Sequence, residues 1–135
     1  MSNVESDITQ ALNAQGEVMI SALGYTALWA GNGGDKPAGE HVTIEQLPND
    51  NTPAGLSDQV YFRQGFLIIT LVSPLGLYEV VTRKRAGNIA AYFPRGNLAS
   101  VNDTKVTIYG HNIRKGRQEG QRFETPIYIE YRSIS

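Results

Sequence analysis

The most apolar run of the chain is Phe66 to Val72, bounded by Gly65 and Pro74. It is rich in Phe, Ile, Leu and Val. An apolar run of that length between breakers reads as a buried central strand. Ser73-Pro74-Leu75-Gly76 then turns the chain. From Leu77 the period lengthens: Leu77, Val81, Ala86, Ile89, Ala90 and Phe93 recur at roughly helical spacing. A helix is therefore predicted over 77–93, with Pro94 blocking its continuation. Phe66, Ile68, Leu71, Ile89 and Phe93 are expected in one core, with this helix lying on the sheet.

The flanking segments fit the same unit. Ser2-Asn3-Val4-Glu5 has the form of a capping box, and Val4, Ile8, Ala11 and Leu12 follow on one helical face. Met19, Ala22 and Leu23 continue the stripe, so a helix is predicted from Asn3 to about Leu23, capped by Gly24. Tyr25 to Ala30 reads as a short strand and Gly31 to Pro37 as a loop. His41 to Leu47 alternates polar and apolar, as a half-buried strand does. Pro48 to Ser57 is a polar loop. Lys105 to Tyr109 alternates again, and His111 to Gln121 is a basic loop or hairpin. Phe123 to Ile134 closes the chain as a long strand, in which Pro126 predicts a bulge or an edge position. The fold class is α+β: a mixed, mainly antiparallel sheet with two main helices packed on it.

Composition narrows the function classes. The 135 residues fit a single domain spanning 1–135, and a hydrophobic share of 41% is enough for one core. With no cysteine, disulfides and thiolate zinc sites are excluded. Met1 to Gln10 carries Glu5 and Asp7 and no base, unlike a secretory signal peptide. No apolar run approaches the roughly 20 residues that span a bilayer.

The net charge of −1 hides an asymmetry. Residues 1–59 carry eight acids and one base, a net −7, whereas residues 60–135 carry eleven bases and five acids, a net +6. Such a split arises in compact domains whose halves intermingle. It also suits a molecule that meets copies of itself acidic face to basic face.

Catalytic chemistry is not visible. His41 and His111 stand in different elements without a ligand-spaced neighbour. The glycines of Gly31 to Gly34 are not followed by a phosphate-loop Lys-Ser/Thr, and no nucleophile elbow is present. Carboxylates are scattered, and Asn102-Asp103-Thr104 matches a glycosylation acceptor only formally. Arg83-Lys84-Arg85 and Arg114-Lys115-x-Arg117 are basic clusters, but aromatic residues do not interleave with them as in a single-strand binder.

A family resemblance adds to this reading. Its residues are Ile8 to Leu12, Val42 to Pro48, Gly65 to Gly76, Ile89 to Gly96, Gly116 to Gly120 and Phe123 to Tyr131. In this order they resemble the tail terminator proteins of long-tailed bacteriophages. The polar Arg83-Lys84-Arg85 with Gly87 departs from the pattern and leaves the partner of that helix open.

The resemblance implies a virion structural protein, with neither catalytic site nor cofactor. It implies a hexameric ring that caps the tail tube, ends its polymerisation and offers a head-joining face. Partners would be further copies of the chain, the tail tube protein and the head–tail connector proteins. Genome DNA would pass the lumen without specific recognition, and no membrane would be involved. The place would be the virion tail, assembled in the bacterial host cytoplasm. Arg114, Lys115 and Arg117 are the expected basic contributors to the interface, and Asp35, Glu40, Asp50 and Asp58 the acidic ones. Two alternatives remain: another connector or tail tube protein of similar fold, or a small ligand-binding or enzymatic domain.

Overall fold

In chain order, the elements are α1 (Val4–Leu23), β1 (Thr26–Trp29), β2 (His41–Pro48), β3 (Thr52–Pro53), β4 (Tyr61–Pro74), α2 (Glu79–Ala90), β5 (Gly96–Asn97), β6 (Thr107–Ile113), β7 (Arg117–Glu119) and β8 (Arg122–Ile134). They come from a computed structural model that describes residues 4–29, 39–48, 52–53 and 61–134. The Ser2 cap, Ala30, the loop over 31–37 and most of the loop over 48–57 lie outside the described residues.

One sheet of eight strands runs β1-β2-β4-β8-β6-β5, with β3 against β4 and β7 against β8. The β1–β2 pairing is parallel and the others are antiparallel. This is the α+β arrangement that the periodicities predict. β4 is central, paired over most of its length to β2 on one side and β8 on the other.

Both helices contribute to a single core with one face of the sheet. α1 supplies Ile8, Ala11, Leu12 and Met19, and α2 supplies Ala86, Ile89 and Ala90. The sheet answers with Val42, Ile44, Leu67, Ile69, Leu71, Ile108, Ile127, Ile129 and Tyr131. Phe93 joins this core although the helix has ended, because Pro94 disfavours a helical conformation at the residue before it. The Phe93 N–H donates instead to the Ala90 carbonyl at 2.9 Å.

Two expectations need correction. Phe66 is only half-buried, and Ile68, though buried, is outside the cluster that holds Leu71. A strand alternates faces, and Leu67, Ile69 and Leu71 take the helix side. Phe66 lies on the opposite face, where its ring meets Tyr128 edge-on at 5.5 Å. Second, α2 is shorter than 77–93. Its buried stripe is Thr82, Ala86, Ile89 and Ala90, and Leu77 is exposed. Of the two readings of Pro126, the bulge holds, because β8 is paired on both sides. Pro126 lies where β6 gives way to β7: Ile113 pairs with Ile127 and Arg117 with Glu124. Three residues, 114–116, thus oppose two, 125–126. That is a bulge, which gives a proline a place inside a sheet.

Polar ties position α1. Asp7 is buried, and its carboxylate accepts from Asn102 Nδ2 at 3.1 Å and Thr104 Oγ1 at 3.2 Å. Asn102 and Asp103 both have positive φ, closing a tight turn between Val101 and Thr104. Thr9 donates to Gln46 Oε1, and Gln46 Nε2 donates to the Tyr131 hydroxyl at 2.8 Å. Gly24, with φ 77°, ends the helix as predicted, its N–H on the Ile20 carbonyl.

The phenols of Tyr131 and Tyr25 are held above the ordinary tyrosine value. For Tyr131 the cause is burial first; the Gln46 hydrogen bond opposes it and Glu5 adds to it. For Tyr25 burial again leads, Glu40 adds and Arg85 opposes. The folded state therefore holds these protons more tightly than the unfolded chain. Their contribution to stability is complete below the unfolded value, near 10, and is lost as pH rises through the folded values. Denaturant midpoints measured from about pH 8 to about pH 11 should fall above about pH 10. Tyr131→Phe should flatten the decline; an unchanged slope in that variant would count against the assignment.

Candidate interaction surfaces

The basic segment is tied to β8 by pairing and side-chain contacts. The Arg114 N–H donates to the Pro126 carbonyl at 2.9 Å, and its guanidinium stacks 4.0 Å from the Tyr128 ring centroid. Gly116 presses on Phe123: a Cβ there would sit 2.2 Å from the Phe123 ring. Arg117 pairs with Glu124 at 3.6 Å and Glu119 at 3.7 Å. Lys115 is exposed. The bulge thus fixes the backbone and presents three cations along the β6–β7 side of β8.

Of the expected acids only Glu40 lies among the described residues. Glu40 is drawn to α2, where it takes an ion pair from Arg85 at 2.5 Å with its side chain 23% exposed. Asp35, Asp50 and Asp58 lie outside the described residues. Arg83 pairs with Glu79 along α2 at 3.3 Å. Two of the three α2 bases are therefore engaged within the chain, and Lys84 projects to solvent.

The histidines stand apart. His41 is buried, and its Nδ1 donates to the Gly39 carbonyl at 2.9 Å. His111 is exposed on β6. Among the described residues, no group of three or more His, Asp or Glu could hold a metal.

Two apolar features at opposite ends of α2 were not predicted. At its start, Leu75, Leu77, Tyr78 and Val80 are exposed, Tyr78 by 83% and Val80 by 77%. The sequence carried the signal. Val80 falls off the stripe of Thr82, Ala86 and Ile89, so the helix cannot bury it, and Tyr78 precedes the helix as its N-cap in extended conformation. At the far end an open groove of about 480 Å³ is lined by Ala90, Ala91, Phe93, Pro94, Arg95, Tyr109, Gly110 and His111. Its β6 wall is open at the side, because β5 pairs only with Thr107 and Ile108.

The comparisons follow the fold. A family model described as phage tail terminator protein matches residues 7–131. One solved structure is similar with a TM-score of 0.64 and 15% identity, over 93% of this chain and 94% of that one. A chain from the virion of a native gene transfer agent particle is similar with a TM-score of 0.58 and 11% identity, over 96% and 93%. At these identities the likeness is one of fold. No curated protein matches in sequence.

Proposed function

The chain belongs to the phage tail terminator protein family, and from that premise we propose that it caps the finished tail tube as a ring of six copies. Membership makes it a structural component of a phage tail. Beyond that, the proposal assigns it three tasks: to stop tube polymerisation, to present a face to the head–tail connector proteins, and to let genome DNA through the lumen without reading it. It acts as a single domain, without cofactor or catalytic step, and is assembled in the host cytoplasm. None of the helices among the described residues is long and apolar enough to cross a membrane.

The observation that carries the reading is the family match over residues 7–131. The fold likeness to a gene transfer agent virion chain agrees with it. So does the surface, which offers different features on different sides, as a head-to-tail ring requires. Arg114, Lys115 and Arg117 are the proposed cationic contacts, with Asp35, Asp50 and Asp58 as acidic counterparts. Glu40 is the weaker candidate, given its pairing with Arg85. Exposed pairs contribute about 0–1 kcal/mol each, so they set orientation while apolar contacts supply affinity.

Deletion of the gene tests the reading. Tails should become overlong and variable, with loss of infectivity, and the wild-type gene in trans should restore length. A connector defect would instead leave tail length normal and release DNA from the head; a tube defect would give no tails. Either result would overturn termination as the role.

A further inference from the structure

We propose that α2 is a flap: its first two turns, residues 79–86, lift from the sheet and reclose while Ile89 to Phe93 and the rest of the fold stay in place. This is a property of the folded chain alone and does not depend on the terminator reading.

The two ends of α2 are held differently. The far end is anchored. Ile89, Ala90 and Phe93 belong to the core, and Gln15 Nε2 of α1 donates to the Tyr92 carbonyl at 2.5 Å. The near end is not. From Pro74 to Val80 every residue is exposed, and Gly76, with φ 97°, turns the chain there. Tyr78 is the N-cap but supplies no side-chain acceptor, so the first amides of the helix lack that partner. Over 79–86 the buried side chains are Thr82 and Ala86. Arg85 ties this half to Glu40, through a pair that water partly reaches and therefore weakens.

The surface beneath favours opening. Ser73 and Thr125 are buried, and neither Ser73 Oγ nor Thr125 Oγ1 has a hydrogen-bond partner among the described residues. Both stand on the helix side of the sheet. Ser73 is two residues from Leu71 on β4, and Thr125 is the partner of Leu71 on β8. Ser73 ends the strand from which the turn leads into α2, so the start of the helix is what covers the pair. The hydroxyl of Thr82 is taken by the Glu79 carbonyl at 3.0 Å. A buried hydroxyl without a partner favours whichever state admits water. Lifting the first two turns admits it, and gives up the burial of one threonine and one alanine.

Gly87 divides the loose half from the anchored one. A Cβ there would meet nothing within 4 Å, so packing does not demand glycine, and glycine inside a helix weakens it. The motion carries Tyr78 and Val80, the most exposed large apolar side chains among the described residues. It changes how they are presented without disturbing α1 or the central strands.

Amide hydrogen exchange of the full chain, followed by NMR across a urea series below the unfolding transition, tests this. The N–H groups of Arg83 to Gly87 should exchange about a hundredfold faster than those of Leu67 to Leu71 and with little dependence on urea, as a local opening does. Those of Ala91 to Phe93 should keep pace with the core. Gly87→Ala should slow exchange over 83–87 about fivefold. Thr125→Val keeps the side-chain shape without the hydroxyl, and should slow the same amides about fivefold or more. Ordinary fraying of a helix end would not respond to a change on β8. Ser73→Ala should act in the same direction and serves if Thr125→Val fails to fold. Exchange of 83–87 in step with 67–71 throughout the series would overturn the flap. So would exchange of 91–93 as fast as 83–87, which would make the whole segment the opening unit. Unchanged rates in both hydroxyl variants would overturn the placement of α2 over them, and the flap with it.

Discussion

Phe93→Ala should lower the unfolding free energy by about 3–5 kcal/mol, the cost of emptying a fully buried aromatic site. Phe93 is 1% exposed and packs in the core with residues of both helices and the sheet. Its backbone is fixed by the Ala90 carbonyl before it and Pro94 after it, so the segment has little freedom to collapse into the void. Phe93→Leu keeps most of the volume and should cost less than half as much. Urea denaturation of the three proteins checks this. A loss below about 1 kcal/mol for Phe93→Ala would mean that the site is not the closed core position assigned here.

Gly65→Ala should cost about 3 kcal/mol, at the upper end for overpacking. Gly65 faces Pro48 across one ladder and Tyr131 across the other. A Cβ would sit 2.4 Å from the Leu47 carbonyl oxygen, 2.8 Å from Pro48 Cα and 2.9 Å from the Tyr131 hydroxyl. Two of these three are backbone, so no rotamer change relieves them; the strands must part. Moving Tyr131 would also pull its hydroxyl from Gln46, the link to Thr9 on α1. The midpoint of denaturation should therefore fall sharply. A midpoint within about 0.5 kcal/mol of the parent would show that β2 and β4 separate easily at this point.

Local pattern determined much of this. The spacing of Ile8, Ala11, Leu12 and Met19 sufficed to place α1, since a helix buries one stripe whatever it packs against. Phe66 to Val72 marked the central strand because a strand apolar on both faces needs cover or neighbours on both. Pro126 announced its bulge, a consequence of a missing N–H. The family pattern was also legible, being spread along the chain in short structural motifs, and the match over residues 7–131 agrees with it.

What the chain could not reveal was which side of each element would meet the others. Spacing puts Phe66 and Leu71 on opposite faces of β4, but only the packing of the helices decides that Leu71 takes the core side. Leu77 looked like the first residue of the α2 stripe and is exposed instead. The Asp7 carboxylate is satisfied by Asn102 and Thr104, and Glu40 is taken by Arg85, through contacts 45 to 97 residues apart. The exposed start of α2 follows the same rule. Val80 is exposed because α2 turns Thr82 and Ala86 inward, and Tyr78 because it precedes the helix in extended conformation. Periodicity fixes how an element presents its side chains; which of them find partners is decided by where the distant strands stop.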